Sequence, residues 1–177
     1  MLWVNLRRGV IVSAVFFVLL GLAYPLAETG IGQALFRHQA QGSLGANGST
    51  LVGQQWKGAQ WFQGRPDGDD PTATGGSNLG PRSKELVETY RKRVAALRKA
   101  GITPTADLVA ASGSGIDPDI SPAGAYAQVA AVAAARHLPA EQVRGLVAAH
   151  VHGPQLGFLG ASHVNVLELN EALARLG

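Results

Sequence analysis

From Gly9 to Ala27 the chain carries no charged residue, and Val10, Ile11, Val12, Ala14, Val15, Phe16, Phe17, Val18, Leu19, Leu20 and Leu22 leave no polar face on a helix. A helix apolar all round belongs in lipid or in a large core. The run is roughly the length that crosses a hydrocarbon layer of about 30 Å. Trp3 and Tyr24 stand near its ends, where amphipathic rings settle among headgroups. A cleaved secretory signal is the competing reading, since Arg7 and Arg8 precede the run as a charged n-region would. The stretch is long for an h-region, however, and Ala23-Tyr24-Pro25-Leu26-Ala27 offers no clean small-x-small cleavage pattern. An uncleaved anchor is therefore expected. Basic residues before the span and Glu28 after it predict a cytoplasmic N-terminus (residues 1–8), a transmembrane helix at 9–27 and an extracytoplasmic domain at 28–177. With no second run of comparable length, one copy of the chain cannot line a helical pore.

Composition narrows the rest. Of 177 residues 46% are hydrophobic and 15% charged, against about 25% charged in ordinary soluble domains, which excludes a disordered chain. The net charge of +3, from 15 basic and 12 acidic residues, comes without an aromatic-rich basic stretch, so no nucleic-acid partner is expected. The absence of cysteine removes disulfides, cysteine-ligated metals and thiol nucleophiles together.

The part beyond the span reads as one α+β domain of helices and a small sheet. Ile31, Ala34, Leu35 and Phe36 predict a juxtamembrane helix over Thr29–Gln39. Ser43-Leu44 and Ser49-Thr50-Leu51-Val52 are short β-capable pieces, with Asn47-Gly48 as a type I′ turn between them. Trp56, Trp61 and Phe62 lead into Gly64–Pro71, a loop that neither helix nor strand can continue. Ser83 caps a helix to about Ala100, with Leu86, Val87, Tyr90, Val94 and Leu97 on one face. Arg91, Lys92, Arg93, Arg98 and Lys99 fall on its solvent side and at its negative end, where solvation alone explains them. Ser121-Pro122 opens a helix through Tyr126, Val129 and Val132 to about Leu138, and Pro139 opens another to about His150. Val164 to Asn170 alternates as a strand does, before helical spacing resumes at Glu171–Leu176.

Most catalytic readings fail on inventory. Gly75-Gly76-Ser77-Asn78-Leu79-Gly80-Pro81-Arg82 has glycines but lacks the lysine of a phosphate loop. If it or Leu51–Gln54 holds an anion, backbone amides do so; the same amides could equally cap a helix or meet a partner. A positive φ is expected at Gly76. His150 and His152 make a metal site only if a third ligand such as His163 folds back, and histidine at a helix end is explained by the dipole alone. Ser112-Gly113-Ser114-Gly115 invites a nucleophile reading but lacks the G-x-S-x-G order. Asp107, Asp117 and Asp119 could gather a cation or simply occupy turns and caps.

Taken together, Tyr24-Pro25-Leu26, Gln39–Leu44, Leu51-Val52-Gly53-Gln54, Gly64-Arg65-Pro66, Gly75–Pro81, Ala111–Pro118, Ile120-Ser121-Pro122 and Val164–Asn170 form an ordered set behind a single span. The set closely resembles the KdpC family, a subunit type of the Kdp potassium-transporting ATPase, over nearly the whole chain. Two positions depart from the family's usual pattern: Asp67, where serine is usual, and Asp119, where histidine is usual.

The resemblance implies a non-catalytic subunit of a bacterial inner-membrane complex. Its partners would be a potassium-channel-like subunit, a P-type ATPase bearing the phosphorylated aspartate, and a small single-span peptide. The family also carries an association with ATP and with raising its affinity, so ATP is a possible ligand on that ground alone; no resident cofactor or metal is expected. Gln54, Arg65, Gly75, Gly76, Ser77, Asn78, Ser112, Ser114 and Asp117 are the candidate contact or structural positions. Arg65, on a stiff turn, suits either a partner carboxylate or an internal pair with Asp67 or Asp70. A membrane-anchored nucleotide-binding module, and an anchored serine hydrolase using Ser112 or Ser114 with His163, stand as alternatives.

Overall fold

The computed structural model describes residues 1–68 and 72–176. Asp69, Asp70 and Pro71, and with them the considered Arg65–Asp70 pair and the end of the expected 64–71 loop, lie outside the described residues, as does Gly177. The backbone forms two compact units, Met1–Ser49 and the part from Thr50 onward.

In the first unit one helix of 34 residues runs from Leu2 to Leu35, about 50 Å at 1.5 Å per residue. It comprises α1 (Leu2–Val18), a π-helical turn at Leu19–Ala23 and α2 (Tyr24–Leu35), and none of its residues is buried. Pro25 accounts for the widening: it has no N–H for the Gly21 carbonyl and its ring crowds that carbonyl. The helix thus starts before Gly9 and continues past Ala27, absorbing most of the juxtamembrane helix expected at Thr29–Gln39. Gly30 and Gly32 weaken it without breaking it, at about 1 kcal/mol each. The break comes at Phe36 (φ −133°), followed by the single turn α3 (Arg37–Ala40).

The expected hairpin forms with a different turn. β1 (Leu44–Gly45) and β2 (Gly48–Ser49) pair antiparallel, Leu44 opposite Ser49 and Gly45 opposite Gly48, so that Ala46 and Asn47 make the connection. Asn47 keeps a negative φ, and a type I′ turn needs positive φ at both central residues. Thr50–Val52 do not extend the second arm; the Gly53 amide is bonded instead to the Ile116 carbonyl.

The second unit contains α4 (Lys84–Lys99), α5 (Ala106–Val109), β3 (Asp119–Ile120), α6 (Pro122–Arg136), α7 (Ala140–Ala149), β4 (Val164–Asn165) and α8 (Val166–Ala174). Ser83 and Ser121 cap α4 and α6 as expected, their hydroxyls accepting from Leu86 and Gly124. The core is built where α6, α7 and α8 meet the β3–β4 pair: Ile120, Val129, Val143, Val147, Val164, Leu169 and Leu173 are essentially inaccessible, and Phe62 joins them from the preceding loop.

Two elements differ from expectation. The strand expected over Val164–Asn170 stops at Asn165, whose side chain accepts from the Glu168 amide and caps α8. A capped helix buries Val166, Leu169, Asn170 and Leu173 on one face, which an alternating strand could not. Arg93 is likewise not on a solvent face of α4. Three residues after Tyr90 and four before Leu97 it shares their side, is half-buried, and donates to the Val109 and Pro66 carbonyls at 2.9 and 3.0 Å.

Candidate functional site

Loops far apart in sequence are drawn together by the Asp67 carboxylate. Across Pro66 the Asp67 amide donates to the Arg65 carbonyl at 2.8 Å, a tight turn that aims the acid inward. Oδ1 accepts from the Ser112 amide at 2.6 Å; Oδ2 accepts from the Ser112 hydroxyl at 2.7 Å and the Asp117 amide at 3.0 Å. The Ser112 oxygen also accepts from the Gly115 amide at 2.8 Å and lies 3.1 Å from the Ser114 hydroxyl. Together these bonds wind Ser112–Asp117 into a closed loop around one negative charge.

The neighbouring strands of chain lock to that loop through backbone. Gly75 donates to the Ser114 carbonyl at 2.7 Å and Gly53 to the Ile116 carbonyl at 2.8 Å. Both approaches exclude side chains. Gly115 has φ +73°, and a β-carbon there would stand 2.5 Å from the Gly75 carbonyl oxygen; one at Gly53 would stand 2.5 Å from that of Asp117. Gly76 has an ordinary φ, contrary to expectation; positive φ in this turn falls on its neighbour Gly75 (φ 155°) and on Asn78 (φ 55°). A β-carbon at Gly76 would still press the Gly113 carbonyl, 3.3 Å away. Ser77 accepts from the Leu79 amide at 3.4 Å. Gln54 is half-buried, and its side chain joins none of these bonds among the described residues.

Arg65 turns inward rather than outward. Its guanidinium donates to the Ala110 and Ala111 carbonyls at 3.2 and 3.4 Å and sits 3.5 Å from the Asp117 carboxylate. The ion pair is with Asp117 and not with Asp67, because Asp67 is already ringed by amide and hydroxyl donors. Asp117 in turn accepts from the Asp119 amide at 3.0 Å.

Asp107 does for α6 what Asp67 does for the loop. Its carboxylate accepts from the Ser121 amide at 2.6 Å, directly at the helix start. Burial pushes this carboxyl up, but the hydrogen bond from the Ser121 amide and the nearby Thr105 and Ser121 hydroxyls outweigh burial and hold it below the usual aspartate range. A depressed carboxyl stabilises the fold fully above its unfolded value of about 3.9 and loses that contribution as pH falls from there through the lower folded value. Acidification below about pH 4 should therefore lower the melting temperature more steeply in the parent chain than in Asp107→Asn, a comparison that melts at pH 6 and pH 3 check. Asp119 has the opposite sign: burial raises it, partly offset by His163 and Asn165.

The three histidines considered as ligands separate into two and one. His152 and His163 form an antiparallel bridge, their rings stacked with centroids 5.5 Å apart, while His150 turns back to the Leu146 carbonyl at 2.8 Å. His152 lies 3.3 Å from Glu168 and His163 lies 3.9 Å from Asp119. Among the described residues no group of three His, Asp or Glu side chains is arranged to hold a metal. Asp107 does not meet Asp117 and Asp119 in a shared cage: Asp107 accepts from the Ser121 amide and Asp117 from the Asp119 amide, while the Asp119 carboxylate accepts from the Asn165 side chain at 3.1 Å. Among the described residues no histidine is hydrogen-bonded to either serine hydroxyl; the Ser112 hydroxyl is given to Asp67 and lies 3.1 Å from that of Ser114. Of the amides considered for an anion in Leu51–Gln54 and Gly75–Gly80, those of Gly53 and Gly75 are given to carbonyls.

Sequence reasoning missed Asp67, Arg93 and Asp107 as organisers. For Asp67 the one sequence signal was its departure from the serine usual in the resembling family.

Comparison with known proteins follows the same lines. A family model described as KdpC, the c chain of K+-transporting ATPase, matches residues 6–175. A protein of Nitratidesulfovibrio vulgaris described as a potassium-transporting ATPase KdpC subunit is 48% identical over 96% of this chain and 93% of its own length. One of Sorangium cellulosum with the same description is 49% identical over 96% of each chain, and one of Caulobacter vibrioides is 46% identical over 96% of this chain and 92% of its own.

Proposed function

The chain belongs to the KdpC family of K+-transporting ATPases, and from that premise we propose that it is a non-catalytic, single-span subunit that stabilises assembly of a potassium pump and modulates it. The observation that carries this reading is the unburied 34-residue apolar helix at Leu2–Leu35, in a chain that matches its family over nearly its whole length. Such a helix holds the chain in the bilayer. Arg7 and Arg8 before the apolar run keep its N-terminus on the cytoplasmic side, so the unit from Thr50 onward works outside the cell at the inner membrane. Its partners are the channel-like subunit, the phosphorylated P-type ATPase subunit and the small single-span subunit.

The Asp67 junction supports a framing role over a catalytic one. Both oxygens of its carboxylate accept from amide or hydroxyl donors of the same chain, which favours a rigid platform whose outer surface meets partners. A nucleotide-binding module on the cytoplasmic side is the competing reading, and ATP belongs with it, since that nucleotide is cytoplasmic. Sidedness separates the two. In intact spheroplasts, added protease should cleave beyond residue 50 and leave the anchor; protection of that region would place the unit inside and overturn the topology. Deleting residues 2–35 should move the chain from membrane to soluble fractions, and a mature protein starting near Glu28 would contradict an uncleaved anchor.

A further inference from the structure

Between α7 and β4 the chain projects a short hairpin whose tip is the most exposed apolar feature of the second unit. Leu156 is 83% exposed, Phe158 75% and Leu159 49%. The hairpin is not slack. His152 and His163 exchange both backbone bonds at its base, at 2.8 and 3.0 Å, and Gln155 and Leu159 exchange both near the tip, at 2.8 and 2.9 Å. Gly157 donates to the Pro154 carbonyl and Phe158 to that of Gln155, at 3.1 and 3.2 Å. At the apex Leu156 has φ +53°. A bulky residue there is strained by about 1–2 kcal/mol, and strain of this kind persists where surrounding bonds enforce it. The molecule thus holds Leu156 and Phe158 out in water, in a fixed and unfavourable geometry.

Building on the subunit reading above, the geometry points to this hairpin as an anchor that inserts into an uncharged apolar hollow on another membrane-held subunit of the pump. Charge selects the kind of surface. No residue from Gly153 to Ser162 is charged, so a charged or strongly polar partner surface would lose solvation with nothing returned. Lipid is the poorer fit. Segments that enter the headgroup layer pair their apolar residues with basic ones, which this hairpin lacks, and a fluid layer needs no enforced side-chain geometry. Area argues against a second copy. Two large side chains and part of a third offer on the order of 300–400 Å², whereas a standard stable interface buries about 800 Å² per partner. So small a contact suits a partner already concentrated beside it by sharing the membrane. Preformed, desolvating aromatic and aliphatic anchors are what interface hot spots use.

The full-length chain, with photoreactive benzoylphenylalanine in place of Phe158, is expressed together with the other pump subunits and irradiated in native membranes. Cross-linking to another pump subunit is expected. Adducts with lipid alone, or with a second copy of this chain, overturn the inference. A tagged full-length Leu156→Gly, Phe158→Ala chain provides the second reading. Glycine relaxes the positive φ, so its melting temperature should hold or rise while recovery of the other subunits falls at least tenfold. Undiminished recovery, or a loss matched by a lowered melt, would equally overturn it. Failure of the unsubstituted chain to recover any pump subunit would instead count against the subunit reading itself.

Discussion

Asn170→Ala should destabilise the second unit by about 3–5 kcal/mol, a large share of the about 5–15 kcal/mol that holds a typical domain. Asn170 is wholly buried on α8 and clamps Phe62 in both directions: its side-chain oxygen accepts from the Phe62 amide, and its side-chain nitrogen donates to the Phe62 carbonyl, each at 2.9 Å. Phe62 is itself inaccessible, so water cannot replace the lost amide. Alanine leaves a buried N–H and a buried C=O unpaired and adds a cavity. Asn170→Asp keeps one acceptor but sets a carboxylate against the Phe62 carbonyl, so it should be no better tolerated. Urea unfolding of the full-length chain in detergent measures the effect; a loss below about 1 kcal/mol would mean that the clamp contributes little.

The second large effect is expected at Asp67. Removing its carboxylate strands two amides and a hydroxyl, and hydrogen bonds to a charged group contribute about 1.5–3 kcal/mol each. Asp67 and Ser114 are not fully enclosed, so water relieves part of the loss, and Asp67→Ala should cost about 2–3 kcal/mol in all. Asp67→Ser should recover part of it through one remaining oxygen. Hydrogen exchange locates the change. The amides of Ser112, Gly115 and Asp117 should lose protection together, while those of α7 keep theirs. If all amides lose protection equally, Asp67 supports the whole unit and not this loop.

What the sequence made legible was local. Ser121-Pro122 and Ser83 carry their own instructions, because a capping hydroxyl bonds an amide three residues on. The uncharged run likewise dictates a helix without reference to the rest of the chain. What it hid depends on residues that meet only after folding. Asp67 finds its donors 45 and 50 positions later, and Asn170 finds Phe62 108 positions earlier. Asn165 shows the same limit at short range. Val164–Asn170 fits a strand by alternation and a helix by spacing, and the choice rests on the Asn165 cap and on the face that α8 buries. Of the candidate positions, Arg65, Gly75, Ser112, Ser114 and Asp117 do gather in one junction. Gln54 has no hydrogen-bonded place in it among the described residues, and the positive φ expected at Gly76 falls on Gly75 and Asn78. Loop motifs announce that glycine and aspartate are needed; which amide each one meets is a long-range fact.

The proposed role is that of a subunit that contributes to potassium transport by joining a pump and not by catalysis of its own. The motive from sequence is the missing phosphate-loop lysine and the missing phosphorylatable aspartate motif, together with a single span that cannot enclose an ion path. Potassium-stimulated ATP hydrolysis tests it directly, measured on the purified chain, on the other subunits purified without it, and on the two combined. The account predicts no hydrolysis by the chain alone, little potassium-stimulated hydrolysis by the others, and restoration when the full-length chain is included. Hydrolysis by the purified chain, or full potassium-stimulated activity in its absence, would contradict it.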